Sequence, residues 1–127
     1  MFGKPKIMKA FTLVFALFIA GQLFAQASIE GRWDTGEQQS RVEISTTAQG
    51  ITGTIVSSDE PRVVGKKNLR NLKKVGEHWE GELYAFKRQR WFDLKIEERG
   101  DQLELNISVG FFSTQRTWTR LTTFEQP

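Results

Sequence analysis

An all-β fold is predicted: a single antiparallel up-and-down barrel of about eight strands, following an N-terminal signal peptide. Three observations carry this. Downstream of residue 27 the hydrophobic period is two, the mark of strands whose two faces meet different surroundings. Turn signals recur every eight to twelve residues with almost no helical pattern between them, as in sandwiches and barrels. Finally, Gly31-Arg32-Trp33 opens the first strand and Arg120 stands near the end of the last. The glycine gives the backbone room for a close approach, and the indole is a large ring with a polar N–H suited to plugging one end of a tube. A guanidinium on an adjacent strand would lie across that ring. Such a contact makes the first and last strands neighbours, which selects the barrel over the sandwich.

The elements follow in order. Residues 1–27 have the pattern of an export signal: Lys4, Lys6 and Lys9 precede the apolar run AFTLVFALFIAG, and small residues offer cleavage after Ala25 or Ala27. The run is short for a bilayer span, so no transmembrane segment is expected after cleavage, and the destination is the periplasm or the exterior. Residues 28–127 then form one domain. Residues 32–35 begin it. RVEIS places Val42 and Ile44 on one face, and AQG (residues 48–50) turns the chain into a strand over residues 51–57.

Residues 68–75 are ambiguous, because Leu69 and Leu72 are three apart, a spacing that suits a helical turn better than a strand. Strands resume over residues 78–86. WFDLKIEE sets Phe92, Leu94 and Ile96 against Asp93, Lys95 and Glu97, while DQLELNISVG sets Leu103, Leu105, Ile107 and Val109 against Glu104, Asn106 and Ser108. ERGDQ between them is of hairpin length. The last strand covers residues 115–121. Phe111 and Phe112 follow a glycine at the end of the strongest strand, where a bend and a rim position are expected; adjacent side chains point to opposite faces, so at most one is core, and the other is expected to cover a neighbouring loop, the favoured reading, or to line the opening.

The Gly-x-Trp start with an Arg on the final strand resembles the lipocalin-type, or calycin, arrangement. The wider order GRW, RVEI, GTIV, HWEGELYAF, DQLELNISVGFF and TWTR is similar to the exported bacterial family called domain of unknown function 2147. That resemblance implies a small lipocalin-like barrel with a leader and no established activity. This chain departs from the family pattern in three places: Thr52-Gly53 stands for a Cys-Gly, SSDEPRVVGKK for an Asp/Asn/Pro-rich loop, and YAFKRQRWF for a Pro/Gly turn.

Composition narrows the function classes. The sequence has no cysteine, which removes disulfides and thiolate metal sites. The pI near 9.4 owes its basicity to the leader: without the three leader lysines, cationic and acidic residues balance, so net charge does not point to nucleic acid, and no nucleic-acid partner is expected. The single histidine, His78, shares a strand face with Glu80 and Glu82, read as a solvated polar face and not a metal site. No serine sits in a nucleophile elbow, and no carboxylate pair stands out. Catalysis is therefore not expected, nor is any cofactor; a small exported hydrolase would need a concave cluster of carboxylates with perturbed pKa values.

Charge is distributed unevenly. Residues 61–76 carry Arg62, Lys66, Lys67, Arg70, Lys73 and Lys74 with no acid among them. A second cluster places Lys87, Arg88 and Arg90 beside Trp91, just after Tyr84 and Phe86. Brought together at one barrel end, these form a basic mouth rimmed by aromatics. The candidate ligand-binding residues are thus Tyr84, Phe86, Arg88, Arg90, Trp91, Lys66, Lys67 and Arg70, with Gly31, Trp33 and Arg120 reserved for closure. The expected partner is a small amphiphilic or anionic molecule, held at the mouth or inside; a filled interior would instead favour an envelope protein that interacts through its surface.

Overall fold

The computed structural model describes residues 29–122; the leader and the last five residues lie outside the described residues. Eight strands follow one another: β1 (Gly31–Asp34), β2 (Arg41–Thr47), β3 (Gly50–Ser57), β4 (Lys67–Val75), β5 (His78–Ala85), β6 (Arg90–Arg99), β7 (Gln102–Val109) and β8 (Phe112–Arg120). Each pairs antiparallel with the next, and β8 returns to β1, closing the barrel in chain order. A 3-10 turn at Pro61–Val63 is the one helical element among the described residues, and no described helix is long and apolar enough to cross a membrane.

This up-and-down course gives the barrel two unlike ends. The base holds Ile29, Glu30 and the two-residue turns at 48–49, 76–77 and 100–101, while the rim holds the connections 35–40, 58–66, 86–89 and 110–111. Inside, period two has done what it predicts: Val42, Ile44, Ile55, Leu94, Ile96, Leu103, Leu105 and Ile107 are buried together with Trp33, Trp79 and Trp118. Fully burying one such aliphatic side chain contributes roughly 1.5–3 kcal/mol relative to exposure.

The base is closed by contacts that explain Gly31-Arg32-Trp33. Trp33 faces Arg120 in the β1/β8 register, so the two side chains leave the sheet on the same face. The Arg120 guanidinium carbon sits 4.3 Å from the Trp33 ring centroid. Its Nη1 donates to the Glu30 carbonyl at 2.9 Å, and Trp33 Nε1 donates to the Ile29 carbonyl at 2.9 Å. Gly31 stands at φ +129°, and a Cβ there would lie 2.7 Å from Arg120 Nη1. Only a residue without a side chain lets the guanidinium pass.

The ambiguous segment is a strand, β4, and its odd spacing is a bulge. Between Arg70 and Lys73 the register against β5 advances three residues while the partner strand, from Glu82 to Glu80, advances two. The bulge holds Asn71 in the left-handed region at φ 57°, which Asn tolerates better than most side chains. That one-residue insertion returns Leu72 to the same face as Leu69, and both are buried. The bulge presses on β5: a Cβ on Gly81 would meet the Arg70 carbonyl at 2.8 Å and Leu72 Cδ2 at 2.6 Å.

At the rim one expectation is overturned. β8 begins at Phe112, three residues earlier than the period suggested, and the chain turns through Gly110-Phe111 directly after Val109. Neither phenylalanine covers a loop: Phe111 is fully exposed and Phe112 is 64% exposed. The tight turn lifts both to a hairpin tip.

Candidate functional site

The β5/β6 hairpin places the aromatic part of the predicted site. Leu83 faces Phe92 across these strands on the inner face, so the next pair, Tyr84 and Trp91, stands on the outer wall. Their ring centroids are 5.2 Å apart at 64°, and Phe86 meets Tyr84 edge-on at 4.9 Å. The connection holds its shape through the Arg88 and Gln89 backbone N–H groups, both donating to the Ala85 carbonyl, with Gln89 at φ 55°.

Arg70 arrives from β4. Its register partner is Glu82, to which Nε donates at 3.0 Å, and its guanidinium carbon lies 4.0 Å from the Trp91 centroid. Asn71 Nδ2 donates to the same Glu82 oxygen at 2.8 Å. Hydrogen bonds from Arg70 and Asn71 hold the Glu82 carboxyl below its ordinary value of 4.5, outweighing the opposing effect of burial. Arg70 is therefore neutralised by Glu82 and props one face of Trp91; it is a positioning residue for the indole.

Lys66 and Lys67 border the aromatic group. With Tyr84, Phe86, Gln89 and Trp91 they line an open depression of about 370 Å³. Lys67 Nζ donates to Gln49 Oε1 at 2.7 Å, a neutral partner that leaves its charge uncompensated. Beside it Asn68, at a second β4 irregularity where Gly53 faces Leu69 and Thr54 faces Lys67, is buried with Oδ1 lacking a hydrogen-bond partner.

The expected single mouth is thus divided. Lys66, Lys67, Arg70, Tyr84, Phe86 and Trp91 come together, but on the outside of the barrel, because Tyr84 and Trp91 are out of phase with the inward Leu83 and Phe92. Arg88 and Arg90 go elsewhere: their guanidinium carbons lie 5.9 and 5.3 Å from the Phe92 centroid, at the rim. Sequence reasoning missed Gln89, which lines the depression between two arginines in KRQRW, and missed Glu82 as the partner of Arg70. Gln89 carries no local signal beyond its place in a turn, and Glu82 is found only once the β4 bulge fixes the register.

The acidic face of β5 is also accounted for. His78 Nε2 and Glu80 Oε2 are 2.8 Å apart, while Glu82 is engaged by Arg70 and Asn71. Among the described residues no three His, Asp or Glu side chains converge as metal ligands would. A smaller depression of about 180 Å³ lies at the rim between Asp34, Gly36, Gln38, Gln39 and Asp59.

With this geometry in view, a family profile described as "uncharacterized protein conserved in bacteria (DUF2147)" matches residues 31–120, from the first residue of β1 to the last of β8. No curated protein and no solved structure gives a significant match.

Proposed function

We propose, from the premise that the chain belongs to the bacterial family DUF2147, that it is an exported, non-catalytic binding protein of the cell envelope whose outer-wall depression takes a small anionic amphiphile. One observation carries the reading: Lys66 and Lys67 line a depression of about 370 Å³ together with the aromatic side chains of Tyr84, Phe86 and Trp91. That volume lies within the range of about 300–1,000 Å³ common to small-ligand sites. The lysines supply charge for a phosphate or carboxylate, and the aromatic edges supply the surface on which an alkyl chain loses water. Arg70 holds Trp91 in place from behind, so the platform is formed before the ligand arrives.

Binding on the wall is favoured over binding in the lumen because buried side chains from all eight strands, three of them tryptophans, meet inside. The leader pattern supports export, which brings the protein to anionic lipids and glycans and away from nucleic acid.

Titration with dodecyl phosphate below its micelle concentration, followed by tryptophan fluorescence and calorimetry, tests the reading. Saturable binding is expected, weakening when salt rises from about 0.01 M to about 1 M and the screening length contracts from about 30 Å to about 3 Å. Lys66→Gln with Lys67→Gln is expected to reproduce the high-salt affinity, and Trp91→Ala to remove saturation. Binding indifferent to both the lysines and Trp91 would overturn the assignment and move the ligand to the lumen.

A further inference from the structure

The rim carries a feature the depression does not use. Phe111 and Phe112 stand at the tip of the β7/β8 hairpin, fully and 64% exposed, although a soluble barrel gains nothing by presenting two adjacent phenyl rings to water. The β5/β6 connection beside them is basic. β6 and β7 pair as far up as Leu94 and Ile107; Arg90 lies four residues beyond that pair on one strand and Phe111 four residues beyond it on the other, both at the rim end.

The arginines there differ from five others on the barrel. Arg32, Arg62, Arg70, Arg99 and Arg116 each pair with a glutamate. Among the described residues Lys87, Arg88 and Arg90 have no such ion pair; Arg88 and Arg90 lean over Phe92 and keep their charge. An apolar tip flanked by uncompensated cations is the surface chemistry of a protein that lies on an anionic bilayer: rings enter the headgroup boundary to a depth of about 5–10 Å while cations meet lipid phosphates.

We propose that the rim end docks on an anionic membrane surface, with Phe111 and Phe112 inserting between headgroups and Lys87, Arg88 and Arg90 pairing with phosphates. Charge complementarity selects this occupant over a second copy of the chain, since two rims meeting tip to tip would set the same unpaired cations against each other. The proposal goes beyond the ligand reading and rests on different residues. Docked this way, the barrel would hold the outer-wall depression close to the lipid surface, within reach of an amphiphile leaving it.

The test is co-sedimentation of residues 28–127 with large vesicles, either phosphatidylcholine alone or phosphatidylcholine and phosphatidylglycerol in equal parts. That segment contains all eight strands and every closing contact described above, Ile29 and Glu30 included. Partitioning is expected onto the anionic vesicles and scarcely onto the neutral ones. Phe111→Ser with Phe112→Ser should lower it by about tenfold or more, since burying even part of a phenyl ring is worth that factor. Phe111→Leu with Phe112→Leu should restore most of it. Arg88→Gln and Arg90→Gln should each lower it by about fivefold.

Trp91→Ala should leave vesicle binding intact while abolishing dodecyl phosphate binding, so the two proposals fail separately. The exposed tip makes all the rim variants expected to melt with the parent. Equal partitioning onto both vesicle types, or undiminished partitioning of the double serine variant, would overturn the proposal. So would a dimer that the serine substitutions dissociate, with no vesicle binding by the parent; that result would assign the tip to a second copy.

Discussion

The two ends of the barrel are built from the same residue types and treat them in opposite ways. At the base an indole and a guanidinium are stacked, every polar hydrogen named there has an acceptor, and Trp33 is essentially inaccessible. At the rim Arg88 and Arg90 lean over Phe92 with no carboxylate partner among the described residues, and Phe111 and Phe112 project into solvent. Aromatic and cation are thus a closure at one end and an offered surface at the other. The difference lies in the strand register. Arg120 is opposite Trp33 in a β1/β8 pairing that leads into backbone acceptors, whereas β7 and β8 stay paired up to Val109 and Phe112 and turn at once, leaving Phe111 uncovered by any of the described residues.

The contrast predicts that substitutions at the base cost stability. Trp33→Ala is expected to be the most damaging, since deleting a buried aromatic ring costs about 3–5 kcal/mol, and here it also leaves the Ile29 carbonyl without its donor. For a domain of this size the thermal midpoint should fall by roughly 15 °C or more. A smaller drop, measured by calorimetry, would mean that the base collapses around the missing ring and is not a fixed plug.

Gly31→Ala comes next. The new Cβ would have to share space with Arg120 Nη1 on a backbone at φ +129° that side chains rarely adopt. Strain of about 1–3 kcal/mol adds to a displaced guanidinium. Arg120→Ala, which removes the cation–π contact and the bond to the Glu30 carbonyl, should cost about 2 kcal/mol and lower the midpoint by roughly 10 °C. Combining the two should add little to the worse of them, because both act through the same guanidinium; additive losses in a double-mutant cycle would show that Gly31 matters for its backbone alone.

How much of this was legible beforehand follows from what period two can carry. It fixed the inward set and, through Trp33 and Arg120, the closure, because both depend on which face a residue occupies. It failed at β4, where Asn71 inserts one residue and breaks the alternation, so that Leu69 and Leu72 stand three apart and yet share a face. The candidate site suffered from a related gap. Tyr84 and Trp91 are adjacent to inward residues in the sequence, and only the pairing of Leu83 with Phe92 settles that they look outward. Arg90 adjoins Trp91 in the motif KRQRW but does not share its face, since consecutive side chains of a strand point to opposite sides of the sheet.

The wall between the two ends gives a prediction of intermediate size. Glu82 has its carboxyl held below the ordinary 4.5 by Arg70 and Asn71, so its contribution to stability is present above that value and is lost as pH falls through the lowered one. Midpoints measured from about pH 6 down to about pH 3 should converge for the parent and Glu82→Gln as the carboxylate protonates. If they stay apart by the same amount throughout, the loss in the variant comes from packing and not from the ion pair.

The smallest expected effect is the most discriminating. Phe111→Ser with Phe112→Ser removes two large side chains, which in a core would cost several kcal/mol, yet surface substitutions away from packed features usually fall within about 0.5 kcal/mol. Because Phe111 is fully exposed and Phe112 64% exposed, the midpoint should move by less than about 4 °C, in either direction. A loss comparable to that of Trp33→Ala would mean that the rim rings pack in solution as the base ring does. The two ends would then be alike, and the tip would have no spare apolar surface to give to a membrane.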